Sequence, residues 1–173
     1  MTLVWRSEMS IDNGLIDADH KCLIGLVNEV DAVRIGPAMP SELTVILAKL
    51  DAYARLHFGR EERLQIATGF TYASAHHRRH GVLLRDLDVT RAEFKRARDV
   101  HEMEASRACL CDFLHHWLSD HILKADRLMK PFVSEMRLHS HGSVPLAKAV
   151  ELSQDRVQGV KIPDRQLPLP SRS

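Results

Sequence analysis

Apolar positions recur three and four residues apart through most of the chain, the spacing of one buried helical face. No stretch alternates apolar and polar residues between Gly or Asn turns as a half-buried strand does. Four helical segments follow. The first runs from about Ile16 to Val33 and carries Leu23, Leu26, Val27 and Val30. The second runs from about Ser41 to Ala67, with Ser41 as the expected N-cap after Pro40 and Gly69 as a C-cap signal. Its stripe is Leu43, Leu47, Leu50, Ala54, His57, Glu61 and Leu64. The third spans about Tyr72 to Ala97, with Leu83, Leu84, Leu87 and Phe94 on its apolar face. The fourth spans about Met103 to Met129, with Leu110, Leu114, Trp117, His121 and Leu128 near one face and Pro131 ending or kinking it. The links near Gly36–Pro40, Gly69–Thr71 and Arg98–Glu102 are short enough to force antiparallel neighbours. The expected fold is all-α, an up-down-up-down four-helix bundle.

The pattern fades after residue 136. No aromatic residue lies beyond Phe132, and four of the seven prolines (Pro145, Pro163, Pro168, Pro170) are in this stretch. Residues 137–173 carry six Lys+Arg and three Asp+Glu, a balance of +3 that leaves −2 for the first 136. Few large apolar groups remain there to offset ordering entropy. The expected organisation is therefore a bundle over 1–136 and a C-terminal tail over 137–173, with one short helix around Pro145–Val157. At 173 residues the chain fits one compact domain and a tail. A net charge of +1 gives no sequence-wide attraction for nucleic acid or an anionic membrane surface, so neither is an expected partner. No apolar run approaches the ~20 residues that span a bilayer. The opening residues Met1–Arg6 lack the pattern of a signal peptide. Cys22, Cys109 and Cys111 are odd in number and in no zinc or redox spacing, which fits a reducing cytoplasm.

What ordinary composition does not explain is eleven histidines. His57 and Glu61 interrupt an otherwise apolar stripe, four residues apart and so stacked on one face. His76 and His80 repeat that spacing on the third helix, on the face continued by Leu83, Leu84 and Leu87. His121 is in line with Leu114 and Trp117, and His20 is in register with Leu23 and Val27. Each helix thus aims an imidazole at the presumed axis. Unpaired buried imidazole and carboxylate are costly, and a metal ion compensates both. Five imidazoles with added carboxylate exceed what one tetrahedral zinc needs and suit iron. Spacing leaves one carboxylate open. Asp126 is five residues after His121, about 140° away on a regular α-helix, and Asp120 competes with it.

The remaining candidates read as ordinary surface or core. His77 and Glu62 are one position off their stripes and expected to be solvated. His101 falls in a link, and His115 and His116 flank a stripe, where His116 could brace a ligand. Arg78 and Arg79 read as a solvated face, and Trp117 as core that could also wall a ligand pocket. His139 and His141 are in the tail.

The motifs together resemble the bacterial hemerythrins. Trp5 and Met9–Asp12, then Ile16-Asp17-Ala18-Asp19-His20-Lys21-Cys22-Leu23 and Asn28, are similar to that family's N-terminal arm and first helix. His57-Phe58-Gly59-Arg60-Glu61-Glu62 resembles its HFxxEE motif, His76 to His80 its HxxxH, and Trp117 to Asp126 its WLxxHIxxxD. Four motifs in order, over residues 1 to about 132, make the resemblance specific. It departs at Leu128, where a Tyr is frequent, and at Thr71-Tyr72, where a Tyr-Pro pair is common. The resemblance selects Asp126 over Asp120. It implies that His76, His80 and His121 hold one iron and that His20 and His57 hold a second, with Glu61 and Asp126 bridging. It further implies an oxo or hydroxo bridge and an open position on the second iron for dioxygen.

The expected function is reversible dioxygen binding at a non-heme di-iron centre, for carriage, storage or sensing, with no substrate turned over. Leu118, Ile122 and Trp117 are the expected apolar wall of the ligand pocket. An enzyme reducing peroxide or nitric oxide is the alternative, as is an oxygen- or redox-sensing signalling module that uses the tail. Bundle oxidases use carboxylate-rich shells with two Glu-x-x-His motifs, a pattern absent from this sequence.

Overall fold

The computed structural model describes residues 2–97 and 99–139. Its main helices are α1 (Leu15–Ala32), α2 (Met39–Thr68), α3 (Ala73–Arg96), α4 (Val100–Asp120) and α5 (Lys130–His139). Between α4 and α5 the backbone stays helical but changes pitch, first a π segment over His121–Ala125 and then a 3-10 segment over Asp126–Met129. No strand occurs among the described residues. α1 packs on α2 and α4, and α3 packs on the same two, closing an antiparallel four-helix bundle. A short 3-10 turn at Ser7–Met9, within the N-terminal arm, lies against the π segment.

Several ends differ from the sequence expectation. α2 starts at Met39 with Pro40 in its first turn, where a missing N–H is harmless, and Ala38 rather than Ser41 is the N-cap. The Ser41 hydroxyl instead donates back to the Ala38 carbonyl. α4 starts at Val100 because Asp99 caps it, its carboxylate accepting from Glu102 N–H at 2.9 Å. His101 is therefore an exposed residue of that first turn, not of a link. Pro131 does not end the helical run. It sits in the first turn of α5. Gly69 is the left-handed cap its position predicts, at φ +65°. The helix expected around Pro145–Val157 lies outside the described residues.

The bundle is divided along its length. The C-terminal half of α1, the N-terminal half of α2, the C-terminal half of α3 and the N-terminal half of α4 meet in a fully apolar core. It includes Val27, Val30, Leu43, Leu47, Leu50, Leu87, Phe94 and Leu110, with Leu23 and Leu114 at its border with the polar half. Burying each of these side chains contributes roughly 1.5–3 kcal/mol. Antiparallel topology then gathers the opposite helix halves, which carry the histidines.

The arm is tied down at both ends. Asn28 exchanges two hydrogen bonds with the backbone of Leu3, at 2.8 and 2.9 Å. At the start of α1 the Asp17 carboxylate accepts from the N–H groups of Ile11, Asp12 and Asn13 and from the Ser10 hydroxyl. The Asp12 carboxylate accepts in return from the N–H groups of Gly14, Ile16 and Asp17, serving the open end of α1. Arg137 of α5 donates to the Asp12 carbonyl. This knot fixes the rotation of α1, and with it the direction of His20 one turn later.

Candidate metal centre

His20 of α1, His57 and Glu61 of α2, His76 and His80 of α3, His121 and Asp126 meet inside the polar half of the bundle, all but His76 at most 2% exposed. The two carboxylates lie between the rings. Asp126 Oδ1 is 3.2 Å from His76 Nε2 and 3.2 Å from His121 Nε2, while its Oδ2 is 3.2 Å from His20 Nε2. Glu61 Oε2 is 3.1 Å from His80 Nε2, 3.5 Å from His76 Nε2 and 3.6 Å from His57 Nε2, and its Oε1 is 3.7 Å from His20 Nε2. Two clusters of mutually close donor atoms result, each with its atoms within 4.8 Å of one another. One is Glu61, His76, His80 and His121, and the other is His20, His57, Glu61 and Asp126.

All five rings turn Nε2 toward carboxylate oxygen, yet few of these contacts are hydrogen bonds. His20 and His57 have no hydrogen-bond partner on either ring nitrogen, and His121 has none on either. Both Asp126 oxygens, Glu61 Oε1 and His76 Nε2 are likewise buried without partners. Native interiors leave few such atoms, and here the Nε2 and carboxylate atoms among them converge on one volume. Electrostatics agrees. Burial alone would lower the His20 pKa, but Asp126 and Glu61 raise it to about 10, and in the same way His76 rises to about 9. Against burial and the Glu61 charge, the surrounding rings hold Asp126 down to about 2, and they hold Glu61 well below its usual range. The pocket demands positive charge, as protons or as metal ions. Nitrogen and carboxylate donors in this ratio suit iron and other first-row metals.

The register of Asp126 comes from the backbone. Its N–H donates to the carbonyl of His121, five residues back, and also to that of Ile122. An i to i+5 turn stacks residues that a regular α-helix would separate by about 140°. Asp120, the competing carboxylate, points outward, 46% exposed and bonded to Lys124 at 2.8 Å. The same shift corrects the end of the stripe. Leu128, expected in the core, is 52% exposed, and Met129 is buried in its place.

A supporting shell surrounds the donors. Glu62 is not simply solvated. Its Oε1 lies 2.8 Å from His80 Nδ1 and 2.8 Å from Nδ1 of the exposed His77. The Phe58 ring stacks on His80 at 3.8 Å between centroids and meets His121 edge-on at 5.3 Å. Trp117 donates to the Leu83 carbonyl at 3.2 Å and joins the core, as do Leu118 and Ile122, each 1% exposed. His116 does not reach the donors. It is exposed and bonds the Asp112 carbonyl of its own helix. His115 bonds Asp31 at 2.7 Å, a contact from α4 to α1 that includes none of the clustered donors. The sequence assigned no role to Asp19, Tyr53, Arg60, Phe58 or Gln65. All but Tyr53 and Arg60 are buried. Asp19, Phe58 and Arg60 stand inside the quoted motifs, but what each does is visible only in contacts between helices.

Comparison with known proteins bears on the same residues. The family model described as "Hemerythrin HHE cation binding domain" matches residues 12–133. The chain is 27% identical over 125 residues to a bacteriohemerythrin of Stenotrophomonas maltophilia, covering 72% of this chain and 77% of that one. A Pseudomonas aeruginosa bacteriohemerythrin is 27% identical over 124 residues, covering 72% and 76%. One from Methylococcus capsulatus is 27% identical over 134 residues, covering 76% and 97%.

Proposed function

The chain belongs to the hemerythrin family, whose match spans the bundle and every clustered donor, and on that premise we propose that it binds dioxygen reversibly at a pair of iron ions. One observation carries the reading: two donor clusters share Glu61, and Asp126 turns one oxygen toward each. A carboxylate common to two clusters is what a dinuclear centre requires and a single-ion site does not. His76, His80 and His121 would hold one iron, His20 and His57 the other, with Glu61 and Asp126 spanning both. The side with fewer imidazoles would leave a position for the gas. Bound ferrous iron supplies the electrons that dioxygen takes up and returns.

The protein's own part is to place and to shield. Glu62 orients His80, and the bundle fixes the remaining rings. Leu118, Ile122 and Trp117 form the apolar wall that keeps water from the centre. The free thiols of Cys22, Cys109 and Cys111 suit a reducing, cytoplasmic setting. Among the described residues no helix is long and apolar enough to cross a membrane.

The decisive measurement is iron content with the visible spectrum. Protein loaded with ferrous iron and exposed to oxygen should develop an absorption band that fades on evacuation and returns on re-exposure. A band that never reverses, with steady consumption of peroxide or nitric oxide when a reductant is present, would instead make the protein an enzyme.

A further inference from the structure

Asp19 precedes His20 on α1 and points about 100° away from it, toward α2. It is 1% exposed. Its Oδ1 accepts from the Tyr53 hydroxyl at 2.8 Å and from Arg60 Nη1 at 2.6 Å, both from α2. Its Oδ2 has no hydrogen-bond partner and faces His57 Nδ1 at 3.6 Å, and that nitrogen is also buried without one. Two orphaned polar atoms of opposite character thus face each other across a gap slightly longer than a hydrogen bond. Tyr53 and Arg60 sit at positions −4 and +3 from His57 on the same helix, so one face of α2 holds the ring and both groups that hold its carboxylate. An anion so fully buried is stable only because Arg60 and Tyr53 are bound to it.

We propose that Asp19 is the positioning residue for His57, keeping the ring's proton on Nδ1 and presenting a bare Nε2 to the cluster of His20, Glu61 and Asp126. The inference rests on the di-iron reading and deepens it. Metal-binding histidines depend on such carboxylate partners, whose loss weakens metal affinity by about 10–100-fold. Here the effect is confined to one of the two clusters, since the other contains no His57. The orienting group on that other side is Glu62, which is reached from solvent.

Asp19→Asn is the sharp test because it keeps the volume. The amide oxygen of the new side chain satisfies the Arg60 cation, which leaves its NH2 facing His57 Nδ1. Two donors cannot share that contact, so the ring takes the opposite tautomer, with its proton on Nε2. Nitrogen-15 NMR of the metal-free full-length protein should report that change at His57. In protein loaded with ferrous iron, a chelator should remove one of the two irons at least ~10-fold faster than from wild type and the other at an unchanged rate. Asp19→Glu should restore slow release, and Tyr53→Phe, which frees one contact of Oδ1, should fall between. A general structural role would instead speed the loss of both irons together with a fall in the melting temperature of the metal-free protein. That result, or an unchanged His57 tautomer, overturns the proposal. Wild-type protein that takes up no iron overturns the di-iron reading and the proposal with it, whereas retention of both irons by Asp19→Asn overturns the proposal alone.

Discussion

The backbone N–H of Asp126 donates to the carbonyl of His121, and the side chains of the same two residues meet at 3.2 Å. A π turn is the cause of both. It holds one residue more than an α turn, and that residue brings the carboxylate round to the imidazoles. π turns are marginal in isolation, and this one is held by what lies on either side. The Ser7–Met9 turn packs against it, and α5 begins directly after the 3-10 segment that follows.

If the π turn is an α turn with one residue added, removing that residue should be tolerated. Deletion of Lys124, 70% exposed and bonded to Asp120 on the surface, leaves Asp126 four residues after His121. On a regular helix that spacing keeps both on one face. Two irons per chain should be retained, at a stability loss of about 1 kcal/mol or less from the surface ion pair. Insertion of one Ala after Lys124 puts Asp126 six residues on and turns it away, so iron binding should fall although helicity persists. Iron analysis with far-UV circular dichroism checks both. Equal behaviour of deletion and insertion would show that pitch does not set the register.

The four helices could be read from sequence because each buries a long apolar stripe, and five imidazoles could be found because they interrupt those stripes. Asp126 could not be placed by spacing, since extrapolation at 3.6 residues per turn assumes a helix that keeps its pitch. The same assumption put Leu128 inside and overlooked Met129. One position off the stripe of α2, Glu62 has the spacing of a solvated residue, but it lies where α3 comes alongside and His80 meets it. Asp19 sits off the face of α1 that carries His20. Its partners Tyr53 and Arg60 are 34 and 41 residues away, and no local period encodes a contact of that range.

Glu62 should matter to metal retention although it touches no ion. With its carboxylate at 2.8 Å from His80 Nδ1, it fixes which nitrogen faces Glu61. Glu62→Ala leaves a buried ring nitrogen without an acceptor. Iron release to a chelator should quicken by about 10–100-fold. His77→Ala removes the other, exposed partner of the same oxygen and should stay close to wild type. Similar release from both variants would mean that the shared carboxylate does not act through His80.

Leu118 and Ile122 are one turn apart, each 1% exposed, and both flank the start of the π segment. Leu118→Ala or Ile122→Ala opens a cavity that admits water beside the centre. Each should cost about 2–5 kcal/mol in denaturant unfolding and speed autoxidation of the oxygenated protein, followed as loss of the reversible band. Unchanged autoxidation in both variants, with the stability loss present, would restrict these side chains to packing.

The arm offers a prediction about acid. Burial raises the Asp17 pKa, but hydrogen bonds from Ile11, Ser10 and Asp12 outweigh it, and the group ends below its usual value. A lowered native pKa means that the ionised form favours the folded state. The contribution is therefore present above the unfolded value of about 3.9 and is lost as pH falls through the lower native one. Asp17→Asn lacks it at every pH, because its NH2 opposes N–H donors that the second oxygen used to accept. In the metal-free protein, where no ion titrates off, the variant should be weaker than wild type by about 1–3 kcal/mol at pH 7. That difference should narrow below about pH 4 as wild-type Asp17 takes up its proton. Urea unfolding of both proteins at pH 7 and pH 3 measures it. A gap of the same size at the two values would mean that the knot at the head of α1 owes its strength to shape and not to the charge on Asp17.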